Sequence, residues 1–316
     1  MKIKFKPLLQ LGAVISTATV LACTASVSNE DSPTVSTEPS EQQAEQPATD
    51  TTDTLLEINT ANRVVALTSL SADLTANLSA DRLVGIPGSR ILQQDSRFAD
   101  IQTVSQDRTE PDLEKIVELQ PDLVMGAKGF HDKALQKLAD LDIPVLTVEI
   151  NSWENLRELT TALAVALEAD PQPLLDRYDA CLSLPAVENA ATDGPSTLVL
   201  VSRQPILAPN NNSWAGDFLE QFNIQNLAAD LQGESAIDGY VTLSAEKVIE
   251  TNPDNVMVVD TGNDLLEQLK SEPFWSQLKA TEDGSVYSFD YFGLINPGSI
   301  ASIEETCAQL KEQVSK

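Results

Sequence analysis

A thirteen-residue segment occurs twice in this chain. Leu113-Glu-Lys-Ile-Val-Glu-Leu-Gln-Pro-Asp-Leu-Val-Met125 aligns without gaps on Ala245-Glu-Lys-Val-Ile-Glu-Thr-Asn-Pro-Asp-Asn-Val-Met257, and seven of the thirteen positions are identical. Each copy reads as a helix with carboxylates in its first turn, a Pro-Asp turn and an apolar strand. Helix-to-strand units converge on acidic first turns and Pro-Asp turns, so those features alone decide little. Agreement over the whole register points to two homologous halves built from α/β units.

Short apolar runs alternate with amphipathic ones around both copies. Arg63–Leu67, Leu83–Ile86, Leu123–Met125 and Val145–Val148 read as strands. Residues 71–80, 111–120 and 132–140 read as helices, with Pro111 at the first helical position of the second. Residues 152–168 carry Trp153, Leu156, Leu159, Leu163 and Leu167 on or near one helical face. A further helical pattern runs from about Pro173 to Ala190, with a kink expected at Pro185. The alternation then restarts, with strands at 197–202, 255–259 and 285–289 and helices near 214–222, 243–251, 263–270 and 300–314. The expected fold is α/β: two Rossmann-like lobes, 62–170 and 192–316, with mostly parallel sheets and the stretch 171–191 between them.

Composition excludes several classes. With 20 Lys+Arg against 48 Asp+Glu, the formal charge of −28 opposes phosphate contacts and adsorption onto anionic lipid. A 42% hydrophobic content supplies cores of Leu, Val, Ile and Ala, so a wholly disordered chain is not expected. Three Cys and one His leave little material for a protein-built transition-metal site. There is no Gly-x-Ser-x-Gly, no Gly-x-Gly-x-x-Gly and no phosphate loop, so an exported hydrolase or a nucleotide enzyme is not expected.

The N-terminus reads as an address. Lys2, Lys4 and Lys6 precede an uncharged, mostly apolar run from Pro7 to Ala22. That run is shorter than the roughly 20 apolar residues of a permanent span, so residues 1–22 are expected to be a secretory signal. Val20-Leu21-Ala22-Cys23 resembles a bacterial lipobox, which makes Cys23 the expected acylation site; an ordinary signal with an incidental cysteine is the alternative. Residues 23–61 are rich in Ser, Thr, Pro, Gln and acids, and are expected to form a disordered acidic tether. Export permits a disulfide between the remaining Cys181 and Cys307, and two buried thiols are the alternative.

From Arg63 to Leu310 the chain resembles the solute-binding proteins of ATP-driven importers for ferric siderophores, haem and cobalamin. The resemblance is carried, in order, by Arg63-Val-Val-Ala-Leu-Thr-Ser, Asp81-Arg-Leu-Val-Gly-Ile, the run Leu113 to Val124, Ile143-Pro-Val, Leu243-Ser-Ala-Glu-Lys-Val, and Pro273-Phe-Trp-Ser-Gln-Leu-Lys-Ala with Gly284-Ser-Val-Tyr. The family often has Glu where Asp73 stands and a Leu-Gly pair where Leu78-Ser79 stands.

The resemblance implies a monomer of two lobes bridged by one long helix, here 171–191, with ligand in the intervening cleft. It also implies that one surface glutamate per lobe, Glu114 and Glu246, pairs with arginines on an importer permease dimer. Glu118 and Glu250 stand one turn further along the same faces. The expected cargo is a ferric siderophore, with cobalamin or haem as alternatives and a non-transport structural lipoprotein as the rival class. Iron would arrive already coordinated, so neither a cofactor nor protein metal ligands are expected. Loops at strand C-termini nominate Ser69, Leu70, Ser71, Arg90, Lys128, Phe130 and His131 from the first lobe. Arg203, Trp214, Tyr240, Tyr291 and Phe292 are nominated from the second. The cations would meet anionic chelate oxygens and the aromatics the carbon scaffold. The implied location is extracytoplasmic, held to the membrane by lipid on Cys23.

Overall fold

The computed structural model describes residues 60–106, 109–183, 194–231, 235 and 237–314. The expected signal, Cys23, nearly all of the tether and the kink at Pro185 lie outside the described residues.

The first half builds a five-stranded, all-parallel sheet. β1 (Val64–Ala66), β2 (Leu83–Gly88), β3 (Gln102–Gln106), β4 (Leu123–Ala127) and β5 (Val145–Val148) lie in the order β3-β2-β1-β4-β5. β1 and the first three residues of β4 are completely buried, as expected of central strands covered on both faces.

Helix α1 (Ser69–Ser79) follows β1, α2 (Leu113–Glu118) leads into β4, and α3 (Asp132–Ala139) leads out of it. Helix α2 starts later than the sequence pattern implies. Asp112 takes the cap by accepting from the Lys115 backbone N–H at 3.2 Å, which leaves Pro111 outside the helix.

The second half repeats the plan with an insertion. Its strands are β6 (Ser196–Leu200), β7 (Ser202–Arg203), β8 (Ile206–Pro209), β9 (Gln225–Asn226), β10 (Tyr240–Leu243), β11 (Asn255–Asp260) and β12 (Val286–Asp290). A parallel sheet has the order β12-β11-β6-β9, and a small antiparallel sheet has the order β10-β8-β7. The fold is thus α/β with mostly parallel sheets.

The repeated segment occupies equivalent places in both halves. Like Leu123–Met125 on β1, the second copy's strand β11 pairs in parallel with the first strand of its own half, β6. Gln120 (φ 48°) and Asn252 (φ 39°), aligned in the repeat, both end their helices in the left-handed region. The Pro-Asp turn has a clear mechanical use. Asp122 accepts from the backbone N–H of Arg63 (2.8 Å) and of Asn62, so it ties the entry of β4 to the start of β1. Asp254 does the same for β11 and β6, accepting from the Ser196 hydroxyl at 2.6 Å.

Helix α4 (Trp153–Ala166), capped by Ser152, and α5 (Gln172–Leu182) stand between the two sheets in the chain. The expected long helix over 171–191 is seen only as α5, because Ser183 already turns to extended backbone (ψ 105°). Pro185 lacks the N–H that would bond the Cys181 carbonyl, which supplies a sequence reason for the stop. Beside one-turn helices, the second half has α6 (Trp214–Gln221), α7 (Ala245–Thr251), α8 (Leu265–Lys270) and α9 (Ile300–Val314).

Although last in sequence, α9 is fastened to elements of the first half and to α5. Its Ile300 N–H donates to Asp73 (2.7 Å), and Arg177 makes a two-pronged contact with Glu304 (2.7 and 2.8 Å). The Lys311 ammonium donates to the Ala180 carbonyl at 2.7 Å. Cys181 and Cys307 form a disulfide with Cα atoms 5.6 Å apart. One continuous apolar cluster joins Leu74, Trp153 and Leu163 to Trp214, Phe218 and Phe289. Among the described residues, no helix is long and apolar enough to cross a membrane.

Candidate functional site

Open α/β sheets bind ligands outside the C-terminal ends of their strands, so those ends define the candidate site. After β1, Thr68 caps α1: its hydroxyl accepts from the Ser71 N–H (3.1 Å) and donates to the Ser71 hydroxyl (2.8 Å). Ser71 is 0% exposed, so it is a helix-capping partner and not a cleft-lining residue, and Leu70 belongs to the core. Ser69 is half-buried beside them. After β2, Arg90 is exposed at the start of a one-turn helix and has no carboxylate partner among the described residues.

The loop after β4 is tightly made. Gly129 takes φ 75° and donates its N–H to Asp132, which brings the chain round to α3. His131 folds back so that Nδ1 accepts from the Ala127 N–H at 2.9 Å. It is 7% exposed, and burial pushes its pKa below the usual imidazole value against the opposing pull of Asp132. His131 therefore closes a loop instead of presenting a free imidazole. Phe130, in contrast, is 64% exposed and stands edge-on to the His131 ring at 4.8 Å. The Lys128 ammonium binds Glu149, at the end of β5, at 2.6 Å. That pairing holds the Glu149 carboxyl below the usual carboxylate range and raises the Lys128 pKa, with smaller contributions to the latter from Asp238 and Asp132. Asp238 belongs to the second half, so its field on Lys128 acts between the two lobes.

In the second half, Arg203 on β7 donates to Glu272 at 2.9 Å. It lines an open depression of about 610 Å³ together with Gln204, Thr261, Asn263, Asp264 and Gln268, beyond the ends of β6 and β11. Trp214 was expected in the cleft, but it is 3% exposed and is a core residue. Its indole N–H donates to the Gly293 carbonyl (2.7 Å), and its ring packs 5.3 Å from both Trp153 and Phe218. The amphipathic α6 directs this face inward, and Asp217 on the same helix accepts from the Trp153 N–H across the seam at 2.8 Å.

Tyr240 and Tyr291 are half-buried at the edge of the same aromatic core, with Phe292 5.4 Å from the Tyr291 ring. Burial raises the Tyr240 pKa, and the nearby Tyr291 adds to the rise. The seam therefore offers two phenols and a phenyl face. Among the described residues, no group of three or more His, Cys, Asp or Glu side chains is placed to hold a metal ion.

Glu114 and Glu246 occupy matching positions in the first turns of α2 and α7, and both are exposed. Neither makes an ion pair among the described residues; the Glu246 pKa is lowered by its own backbone N–H and the Ser244 hydroxyl. Lys115 and Lys247 turn instead to Asp112 (3.6 Å) and Glu250 (3.3 Å). Sequence reasoning missed the carboxylates that engage the site's cations, Glu149 and Glu272. No local pattern signals them, because they lie 21 and 69 residues from their partners.

The family described as periplasmic binding protein matches this chain over residues 64–291. The iron-uptake system-binding protein of Bacillus subtilis (strain 168) is 28% identical over 196 residues, covering 57% of this chain and 59% of that protein. The putative ABC transporter substrate-binding lipoprotein YhfQ of the same organism is 23% identical over 195 residues, covering 58% of this chain and 60% of that protein. The chain thus spans about three fifths of the length of these curated relatives. Among solved structures, an ABC transporter substrate-binding protein from Listeria monocytogenes EGD-e matches with a TM-score of 0.65 at 21% identity, over 80% of this chain and 98% of that one. At that identity the likeness shows a common fold.

Proposed function

We propose, on the premise that this chain belongs to the periplasmic binding protein family, that it is the extracytoplasmic substrate-binding protein of an ABC importer for an iron chelate. The cargo would sit between the strand ends of the two halves, against Phe130, Tyr240, Tyr291 and Phe292. Loaded protein would dock on a permease dimer through Glu114 and Glu246. The observation that carries the docking role is the duplicated register: two exposed carboxylates, in no ion pair among the described residues, stand at equivalent points on pseudo-symmetric lobes. Two such groups can meet one arginine on each permease subunit in charge-assisted bonds that fix register. Acylation of Cys23 would hold the protein at the membrane, in keeping with the name of the lipoprotein relative.

The test separates capture from delivery. The double variant Glu114→Lys, Glu246→Lys should abolish uptake in cells while leaving the chelate affinity of the purified domain within about twofold of the parent. Loss of chelate binding in that variant would remove the docking assignment. The buried Trp153–Trp214 pair lies at the seam, so tryptophan fluorescence should report titrations with ferric siderophores, haem and cobalamin. A true receptor also gains about 2.7 kcal/mol of stability at a ligand concentration of 100 times Kd. A structural lipoprotein with this fold would gain none with any of them.

A further inference from the structure

We infer that the cleft selects an uncharged or cationic chelate and rejects an anionic one. The inference rests on the proposed function and narrows its substrate class.

Two cations at the strand ends, Lys128 and Arg203, are already engaged. Lys128 is held by Glu149 at 2.6 Å, with Asp132 and Asp238 close enough to add to its field. Arg203 is held by Glu272 at 2.9 Å, and Asp264 lines the same depression. Each cation therefore meets one bonded carboxylate and at least one more in surplus. Two further carboxylates stand at the strand ends themselves. Asp260 and Asp290 are neighbours in register at the C-termini of β11 and β12, and both are exposed. Their oxygens accept from the Gly262 and Phe292 N–H groups at 2.7 Å, so they are fixed where they stand. Arg90, and Lys133 in the first turn of α3, remain without an ion-pair partner among the described residues.

An anion entering this site would meet cations whose charge Glu149 and Glu272 already offset, and would sit beside those and the surplus carboxylates. Asp260 and Asp290 are adjacent in the ladder, well inside a Debye length of about 8 Å at physiological salt, so screening does not remove their joint repulsion. The protein's overall charge of −28 acts in the same direction on approach. The uncharged surface has the opposite character. Phe130, Tyr240, Tyr291 and Phe292 offer ring faces that suit a carbon scaffold or a cation. Gln204, Asn263 and Gln268 line the depression with amide donors and acceptors that carry no net charge. A ferric ion wrapped by three hydroxamates is neutral, and becomes cationic where the scaffold bears a free amine. Wrapped by three catecholates it is a trianion.

The experiment titrates the purified domain with a neutral ferric tris-hydroxamate, an amine-bearing cationic one and the trianionic ferric tris-catecholate, at low and high salt. Expected is binding of the neutral or cationic hydroxamate at least a hundredfold tighter than the catecholate. The Glu149→Gln, Glu272→Gln double variant should bind the catecholate about tenfold tighter than the parent does, the gain of one charge-assisted contact. Tighter binding of the catecholate by the parent protein overturns the charge assignment while leaving the receptor function standing. Failure of all three chelates to bind overturns the proposed function, and the inference with it.

Discussion

The Asp73 carboxylate is 1% exposed, yet it receives the Ile300 N–H at 2.7 Å, the Arg97 guanidinium at 2.7 Å and the Asn77 amide at 3.1 Å. A buried charge persists only when it is bonded this fully. Here the bonds run from α1 to the first residue of α9, so one side chain couples the two ends of the folded chain. His131 illustrates the reverse case, a titratable group kept neutral by burial. The unfolded chain takes up a proton at this residue near pH 6.5, whereas the folded chain resists it to lower pH. Stability from His131 is therefore complete above about pH 6.5 and declines as the pH falls through that value toward the folded-state pKa. Because it is the chain's single histidine, an NMR titration of its ring protons should return a midpoint below 6.5 in the folded protein. A midpoint at or above that value would contradict the buried, loop-closing role. At this scale the sequence was partly legible. It marked Asp73 as a departure and nominated Phe130 from the loop after β4, but nothing local distinguishes an inward indole such as Trp214 from a cleft wall.

Helix-to-strand units carry the fold, and their tie points are the aspartates of the repeated Pro-Asp turn. Asp122 and Asp254 each receive donors from the start of the neighbouring first strand, Asn62 and Arg63 in one half and Ser196 in the other. Alanine at either position should cost about 2 kcal/mol, the usual loss for hydrogen bonds to a charged acceptor. Urea denaturation should show two similar losses; a change in one half and none in the other would mean the repeat is not mechanically equivalent. The repeat also explains why so much of the architecture was readable. The central strands β1, β4 and β11 are buried runs of Val, Leu, Met and Ala, and α9 matches its expected span, Ile300–Val314. Several of the elements that escaped are short and polar. β3 (Gln102–Gln106) buries only Val104, and β7 and β9 have two residues each, too few to establish a period. The antiparallel sheet β10-β8-β7 is the second half's addition to the shared plan, so the repeat could not foretell it.

Across the whole molecule the two halves are joined more than once. The chain passes from α5 toward β6, and α9 returns to the first half through Asp73, Arg177 and the Cys181–Cys307 bond. A disulfide that closes a long loop restricts the unfolded chain strongly, and this one spans 126 positions. Cys307→Ser should lower the unfolding free energy by about 2–5 kcal/mol. Iodoacetamide should label neither Cys181 nor Cys307 in the native protein until reductant is added. The same bond sets how the molecule responds to a protease. A single break in the backbone anywhere between Leu182 and Thr306 severs the polypeptide but releases nothing, because both pieces stay tethered through sulfur. Such a nicked protein would migrate as one band on a gel without thiol and as two with it.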